Sequence, residues 1–323
     1  MVERHSNKEW WNSIGSAELF QVSVIIPVFN ASHFVREAVE SALEQPEVGE
    51  VILVEDGSKD NSLDICEKLS RDFGKVRLLT HSHGTNRGVC ASRNFGIQSA
   101  LFEVIAFLDA DDWYLPNRFA KERAIFENPE VMAVYSISAI QFQDGREELF
   151  GCREDLLVKL GTNELRKVYC HIMSNDIVLG HTNANTFRKS VFDQVGYFDE
   201  RLKLHEDTEL WNRLARSFLF HAGELRRPVS VARRHNNNSI YARSTDSQRY
   251  YLSIWIDNIG LKNLYPCEKE NFIYLYSRAI SCRVRPHWLR KLVLHSSIYG
   301  LGFFAELFIQ RFHRSFRHNM PNA

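Results

Sequence analysis

The run Phe107-Leu108-Asp109-Ala110-Asp111-Asp112 places three carboxylates within four residues, directly after an apolar stretch. Carboxylates that close repel one another and resist ionising together unless something cationic compensates. A divalent ion is one such compensation. Asp109-x-Asp111 can offer two carboxylates to an oxygen-preferring Mg²⁺ or Mn²⁺ and can meet the ribose or phosphate oxygens of a nucleotide, with water completing the coordination. The same residues also read as a strand end followed by a helix capped by Asp112 or Asn117. A second acidic group, His205-Glu206-Asp207, lies about a hundred residues on and supplies a carboxylate separate from the first pair, suited to taking a proton from an attacking hydroxyl. Glu206 and Asp207 also read as first-turn acids of the helix TELWNRLARSF, stabilised by its dipole. His235 follows Arg233 and Arg234 at the end of a strand-like stretch, where it could reach a diphosphate or complete a metal shell.

Two loops accompany these acids. Glu55-Asp56-Gly57-Ser58 ends an apolar run. Gly57 there permits a tight turn, Asp60 or Asn61 can cap the next helix, and Asp56 could accept a hydrogen bond from a base NH. Asn86-Arg87-Gly88 opens the helix that carries Arg93, which reads either as a phosphate contact or as a solvated surface arginine. His81 and His83 flank a turn with no third ligand near them and read as solvent-exposed. Trp113 and Trp211 read as packing residues, with the sugar pocket an alternative for Trp113.

The elements that must hold these groups alternate between period-two and helical patterns from residue 22 onward, the signature of βαβ units and a largely parallel sheet. VSVIIPV (22–28) reads as a buried strand, and 33–45 as a helix with Phe34, Val35, Ala38, Val39 and Ala42 on one face. Residues 50–56, 75–81 and 103–112 read as strands, with helices over 62–73 and 89–101. In such a sheet ligands bind beyond the carboxyl ends of the strands, which is where Pro27 to Asn30, Glu55-Asp56 and Asp109 to Asp112 fall together. Beyond 113 the periodicity loosens, with a helix near 117–127 and a strand near 131–140. From about 244 the pattern is helical to the end.

Composition excludes several classes. Forty basic residues balance forty acidic ones, so no global field favours nucleic acid. No Gly-x-Gly-x-x-Gly follows the first strand and no Gly-x-x-x-x-Gly-Lys-Ser/Thr occurs, which argues against dinucleotide redox chemistry and P-loop hydrolysis. Nucleotidyl transfer would need a basic, glycine-rich first loop, which PVFNAS lacks. His-Glu-Asp-Thr-Glu lacks the second histidine of a zinc protease. Six scattered cysteines form no Cys-x-x-Cys pair, so neither a zinc site nor a disulfide framework is expected, and a reducing compartment fits. No apolar run of signal or spanning length is visible, so the expectation is a cytoplasmic protein in which the sequons at Asn30 and Asn237 arise by chance. Residues 288–318 interleave large apolar side chains with Arg and Lys; they read as a packed helix, or as an interfacial helix on the cytoplasmic membrane face.

VSVIIPVFN, VILVEDGSKDNS, NRGVCASRNFG, FLDADDWYLP, VGYFDE and HEDTELWNRL, in this order over roughly 21–240, resemble the family two glycosyltransferases. The resemblance implies an α/β GT-A fold, a mostly parallel Rossmann-like sheet flanked by helices. It divides the chain into an N-terminal extension (1–20), a catalytic domain (21–240, with a nucleotide half 21–112 and an acceptor half 113–240) and a helical C-terminal region (241–323). It also implies an inverting transfer of sugar from a nucleotide-sugar donor, a UDP-sugar by default, to a glycan or lipid-linked acceptor. In that scheme Pro27, Phe29 and Asn30 line the base pocket, Asp56 holds the base, Asn86 and Arg93 lie near the nucleotide, and Asp109 meets the ribose or metal. Asp111 is the principal ligand of Mn²⁺ or Mg²⁺, and Asp207 is the catalytic base beside Glu206; the position of His235 adds it, apart from the resemblance, as a further metal ligand. Glu55 stands beside Asp56 where the family usually has Asp, and it is expected to contact the nucleotide. A protein that binds nucleotide sugar without turning it over is the competing expectation.

Overall fold

A computed structural model describes residues 20–281 apart from 176, 236, 237 and 239–241. The nucleotide half is built as expected: β1 (Val22–Val28), α1 (Val35–Leu43), β2 (Val48–Glu55), α2 (Ser62–Asp72), β3 (Val76–Thr80), α3 (Val89–Ser99) and β4 (Val104–Phe107). Then follow β5 (Trp113–Tyr114), α4 (Ala120–Ile125), β6 (Ala133–Tyr135), β7 (Ser138–Phe142), β8 (Glu147–Phe150), α5 (Leu156–Leu160), α6 (Leu165–Ser174), β9 (Asn185–Arg188), α7 (Ser190–Val195), α8 (Glu206–Ser217), β10 (Phe220–Ala222), β11 (Ser230–Arg234), α9 (Thr245–Ile259) and α10 (Pro266–Ser281).

The main sheet has the order β10-β6-β9-β4-β1-β2-β3. β9 runs antiparallel to both of its neighbours, and the remaining pairs are parallel. Strand alternation divides the apolar residues cleanly. Val22, Val24, Ile26 and Val28 point to the α1–α2 side with Val51 and Leu53, whereas Ile25, Ile52 and Val54 point to the side that holds Ile97, Leu210 and Trp211. β1, β2 and β4 are thus buried on both faces, which is why they read as continuous apolar runs. At Gly96 the α3 backbone comes so close to β1 that a Cβ would lie 2.4 Å from Ile25, so a side chain there would push helix from sheet.

The looser half departs from the sequence reading. The strand expected near 131–140 is two strands, because the chain crosses at Ser136–Ile137 from the main sheet into a second sheet of order β5-β11-β7-β8. The crossing is held by Ser136 N bonded to Ala184 O and Ile137 N bonded to Glu224 O. Neither Asp112 nor Asn117 caps α4; its N-terminus is at Phe119 without a side-chain cap, and Asn117 adopts a left-handed backbone instead, with φ 64°.

The described part of the helical region shares the core of the sheet: Tyr251, Leu252, Trp255 and Phe272 belong to the same cluster as Phe187 and Trp211. Cys170 on α6 and Cys267 on α10 form a disulfide across 97 residues of sequence. This corrects the expectation of unpaired cysteines and removes the ground for inferring a reducing compartment. The pair is invisible in sequence because only the packing of α10 on α6 brings the two positions together. Among the described residues no helix is long and apolar enough to cross a membrane. The N-terminal extension up to 19, the sequon at Asn237 and the amphipathic segment 288–318 lie outside the described residues.

Candidate active site

β1 pairs with β2 on one side and β4 on the other, so the chain winds in opposite directions from β1. A crevice opens at such a switch point beyond the strand ends. Here it is a cleft of about 1110 Å³ that takes in Pro27 near the end of β1, Phe29 and Asn30 after it, Asp56 after β2, and Asp109 and Asp111 after β4. Asn86, Arg93, Glu206, Asp207 and His235 line it as well.

The floor is fixed by hydrogen bonds between loops. Asn30, in the left-handed region with φ 51°, accepts Lys59 N through its side chain at 2.8 Å, and its own N donates to Ser58 Oγ at 2.9 Å. Asp60 receives Ser32 N at 3.1 Å and Ser62 N at 3.0 Å. Asp56 is buried, and its two carboxylate oxygens accept the Arg87 and Gly88 amides at 2.6 and 2.9 Å, while Asn86 Nδ2 donates to its carbonyl at 3.0 Å. Phe29 is 47% exposed, a flat apolar face at the rim.

Glu55 does not reach the cleft. Its carboxylate turns back to accept Gly57 N and Ser58 N, one methylene longer than an Asp and spent on its own turn. His81 is also placed differently from the exposed position expected: it is buried, its Nε2 lies 3.0 Å from Ser92 Oγ and 3.6 Å from Asp56 Oδ1, and its ring packs on Phe95. It backs the Asp56 loop. Trp211 packs in the core against Phe187, ring centroids 4.7 Å apart, while Trp113 lies outside the cleft lining under the Arg233 guanidinium.

Gly57 makes the turn between these loops possible. Its φ is +71°, and a Cβ would lie 2.6 Å from Gly84 O and 2.8 Å from Asn86 N. Gly57→Ala is therefore expected to cost on the order of 1–3 kcal/mol and to push Asn86 and Asp56 out of register. A thermal melt together with a nucleotide titration checks both effects, and an unshifted midpoint would mean that the turn absorbs the methyl.

Arg93 ties the two acidic groups together. This buried guanidinium bonds Asp109 Oδ1 at 2.8 Å and Glu206 Oε1 at 3.0 Å; it is not a solvated surface group. Burial pushes the Asp109 carboxyl up, but Arg93 and His181 outweigh it and hold Asp109 below the ordinary carboxylate range. Glu206 goes the other way, raised by burial and by neighbouring Asp207 against the pull of Arg93. Asp207 follows at the first turn of α8, its Oδ1 accepting Thr208 N at 2.7 Å, with Arg243 at 4.0 Å. The turn into α8 passes through His205 in a left-handed conformation, φ 63°.

His235 Nε2 lies 2.8 Å from Asp111 Oδ2, and Asn238 Nδ2 donates to the same oxygen at 3.0 Å. Asp111 and His235 thus stand side by side in the cleft. A second grouping was not foreseen. Asp109, Asp112 and His181 present ligand atoms within 4.8 Å of one another, and His181 becomes visible only when the segment before β9 folds beside β4. Asp112 is buried, held by Asn183 Nδ2 at 2.7 Å and by Arg233 N at 2.7 Å. Burial, Asp111 and Asp109 push its carboxyl well above the ordinary range. Such an excess of carboxylate with imidazole beside it fits Mg²⁺ or Mn²⁺, hard ions that favour oxygen. Arg234, also unforeseen, lines the cleft and adds positive charge beside Asp109.

The doubly wound sheet with one antiparallel strand, the smaller second sheet and the acidic turn after β4 define a GT-A type α/β fold. The sequence profile described as Glycosyl transferase family 2 matches residues 23–194, and the chain belongs to that family. An uncharacterized glycosyltransferase of Rickettsia felis is 29% identical over 206 residues, 63% of this chain and 33% of the relative. EpsH of Bacillus subtilis, also named as a glycosyltransferase, is 25% identical over 280 residues, 86% of this chain and 75% of that protein. The chain spans between 27% and 58% of the length of the three Rickettsia felis, typhi and bellii relatives. S. aureus TarS 1–349, solved in complex with UDP-GlcNAc, has a TM-score of 0.56 at 17% identity, covering 94% of this chain and 93% of that one; the likeness is one of fold.

Proposed function

We propose that the protein transfers a sugar, with inversion, from a nucleoside diphosphate sugar to an acceptor hydroxyl of a glycan or lipid-linked glycan. The observation that carries the reading is the separation of labour within one cleft. The acids after β4 stand on one side, Glu206 and Asp207 stand on another, and Arg93 spans the two groups. Asp56, Asn86, Pro27, Phe29 and Asn30 bind the base and ribose, and Arg234 faces the diphosphate. A UDP-sugar is the favoured donor, supported by the UDP-GlcNAc complex of a protein with this fold.

In the reaction the acceptor oxygen attacks the anomeric carbon from the face opposite the leaving group. The bond from that carbon to the diphosphate oxygen breaks with its electron pair on the diphosphate, and the hydroxyl proton passes to Asp207. Asp111, with Asp109 and His235, would hold Mn²⁺ or Mg²⁺, which when bound offsets the charge building on the diphosphate. Arg93 keeps Asp109 ionised and fixes Glu206, so that Asp207 projects from a turn that does not drift.

Calorimetric titration of UDP, GDP and dTDP with Mn²⁺ and then with chelator tests the reading. Metal-dependent binding of UDP, lost in Asp111→Asn, is expected. Failure of all three nucleotides to bind under either condition would remove it.

A further inference from the structure

The sequence pattern assigns Phe34 to the buried face of α1, yet it lies at the N-terminal boundary of that helix, half-buried and lining the cleft. Its ring stacks on His235, with centroids 5.4 Å apart and planes within 15°. The Arg233 guanidinium lies over the same ring at 4.9 Å and over Trp113 at 4.7 Å. Arg233 is itself held from two sides, by Glu37 of α1 at 2.9 Å and through its backbone N by Asp112 at 2.7 Å. A column of flat groups therefore runs from Trp113 through Arg233 and Phe34 to the imidazole that meets Asp111 at 2.8 Å.

The geometry points to Phe34 as a positioning residue for His235, setting the affinity of the acidic turn for a divalent cation without touching the cation. The physical reason is rotational. An imidazole at a strand end has two side-chain torsions to order, and a ligand that must first be ordered binds a metal more weakly than one already locked by packing. An aromatic ring within 15° of the imidazole plane locks it; an aliphatic side chain of similar volume fills the space without offering a flat face. The column also joins the nucleotide half, through α1, to the second sheet, through β11, so the metal side of the cleft is braced by both. This inference rests on the proposed function, in which Asp111 and His235 share one ion.

Titrating Mn²⁺ into the full-length protein with UDP present, with free Mn²⁺ read by electron paramagnetic resonance, tests it without requiring turnover. Phe34→Leu is expected to raise the Mn²⁺ Kd about tenfold, while Phe34→Tyr, which keeps the flat face, retains the wild-type value. Arg233→Lys, which removes the guanidinium plane, is expected to move the Kd in the same direction by a smaller factor and serves if Phe34→Leu does not fold. In a His235→Ala background Phe34→Leu should add nothing, because the two act as a unit. Wild-type Mn²⁺ affinity in a folded Phe34→Leu, or a fully additive loss in the His235→Ala background, overturns the inference. Wild-type affinity in His235→Ala with loss in Asp111→Asn also overturns it and leaves the proposed function standing. Absence of any Mn²⁺-dependent UDP binding in the unaltered protein overturns both.

Discussion

Asp207→Asn is expected to lower transfer on the order of 10³-fold while leaving UDP affinity within about twofold, because a positioned base contributes roughly 10²–10⁴ to such a step. The substitution is close to isosteric. The Asn carbonyl oxygen can still accept Thr208 N, which Asp207 Oδ1 receives at 2.7 Å, so the first turn of α8 keeps that hydrogen bond and loses only the charge, about 0.3–1 kcal/mol of helix-dipole interaction. An amide cannot take the acceptor proton. Glu206 is a poor substitute, since its carboxylate is bound to Arg93 at 3.0 Å. UDP release from a UDP-sugar with Mn²⁺, set beside a UDP titration, separates the two quantities. Wild-type turnover in Asp207→Asn would reassign the base; a parallel loss of UDP binding would place Asp207 in the nucleotide pocket instead.

Much of this site is legible in the sequence for a definite reason. Asp56, Asp109 and Asp111 each follow a strand that is buried on both faces, so a continuous apolar run announces the strand and the first polar residue after it marks the cleft. Glu206 and Asp207 are equally plain, because an acid-rich first turn precedes a strongly amphipathic helix. What the sequence hides is whatever depends on pairing across long separations. His181 joins Asp109 only because β9 runs antiparallel beside β4. His81 is buried by Ser92 and Phe95 of the following helix, and the Cys170–Cys267 bridge depends on α10 lying along α6. Phe34 fits the helical periodicity of α1 as well as any core residue does, and only the placement of β11 turns it toward His235. Glu55 is a milder case: its position at the strand end predicts the cleft, but its extra methylene lets it cap its own turn.

Arg118→Met is expected to be among the most destabilising single changes in the protein, at about 3–5 kcal/mol, because removing one member of a buried ion pair strands the other. Arg118 and Glu122 are each 1% exposed and are bonded to one another one helical turn apart. The guanidinium is satisfied on every side. Nε donates to Asn183 O at 3.0 Å and one terminal nitrogen to Thr186 Oγ1 at 3.0 Å, and the plane lies over the Phe119 ring at 4.6 Å. Methionine replaces the packing of the stem and supplies none of these donors. Glu122 would then be left with Ser136 Oγ at 3.2 Å as its remaining hydrogen-bond partner, a charge in the interior that must either protonate or draw in water. The consequence reaches the cleft, because Asn183 uses its side chain to accept Asp109 N at 3.1 Å and to hold Asp112 at 2.7 Å. Loosening its carbonyl should therefore weaken metal-dependent UDP binding even in the folded fraction. Urea unfolding of Arg118→Met, Glu122→Leu and the double variant decides the matter. If the cost is the stranded charge, Arg118→Met with Glu122→Leu is more stable than Arg118→Met alone, since an apolar pair of similar volume removes the uncompensated carboxylate. If the double variant is no more stable than Arg118→Met alone, the stranded carboxylate costs little and the loss lies in the hydrogen bonds from Arg118 to Asn183 and Thr186, which then hold the segment before β9 against the acidic turn.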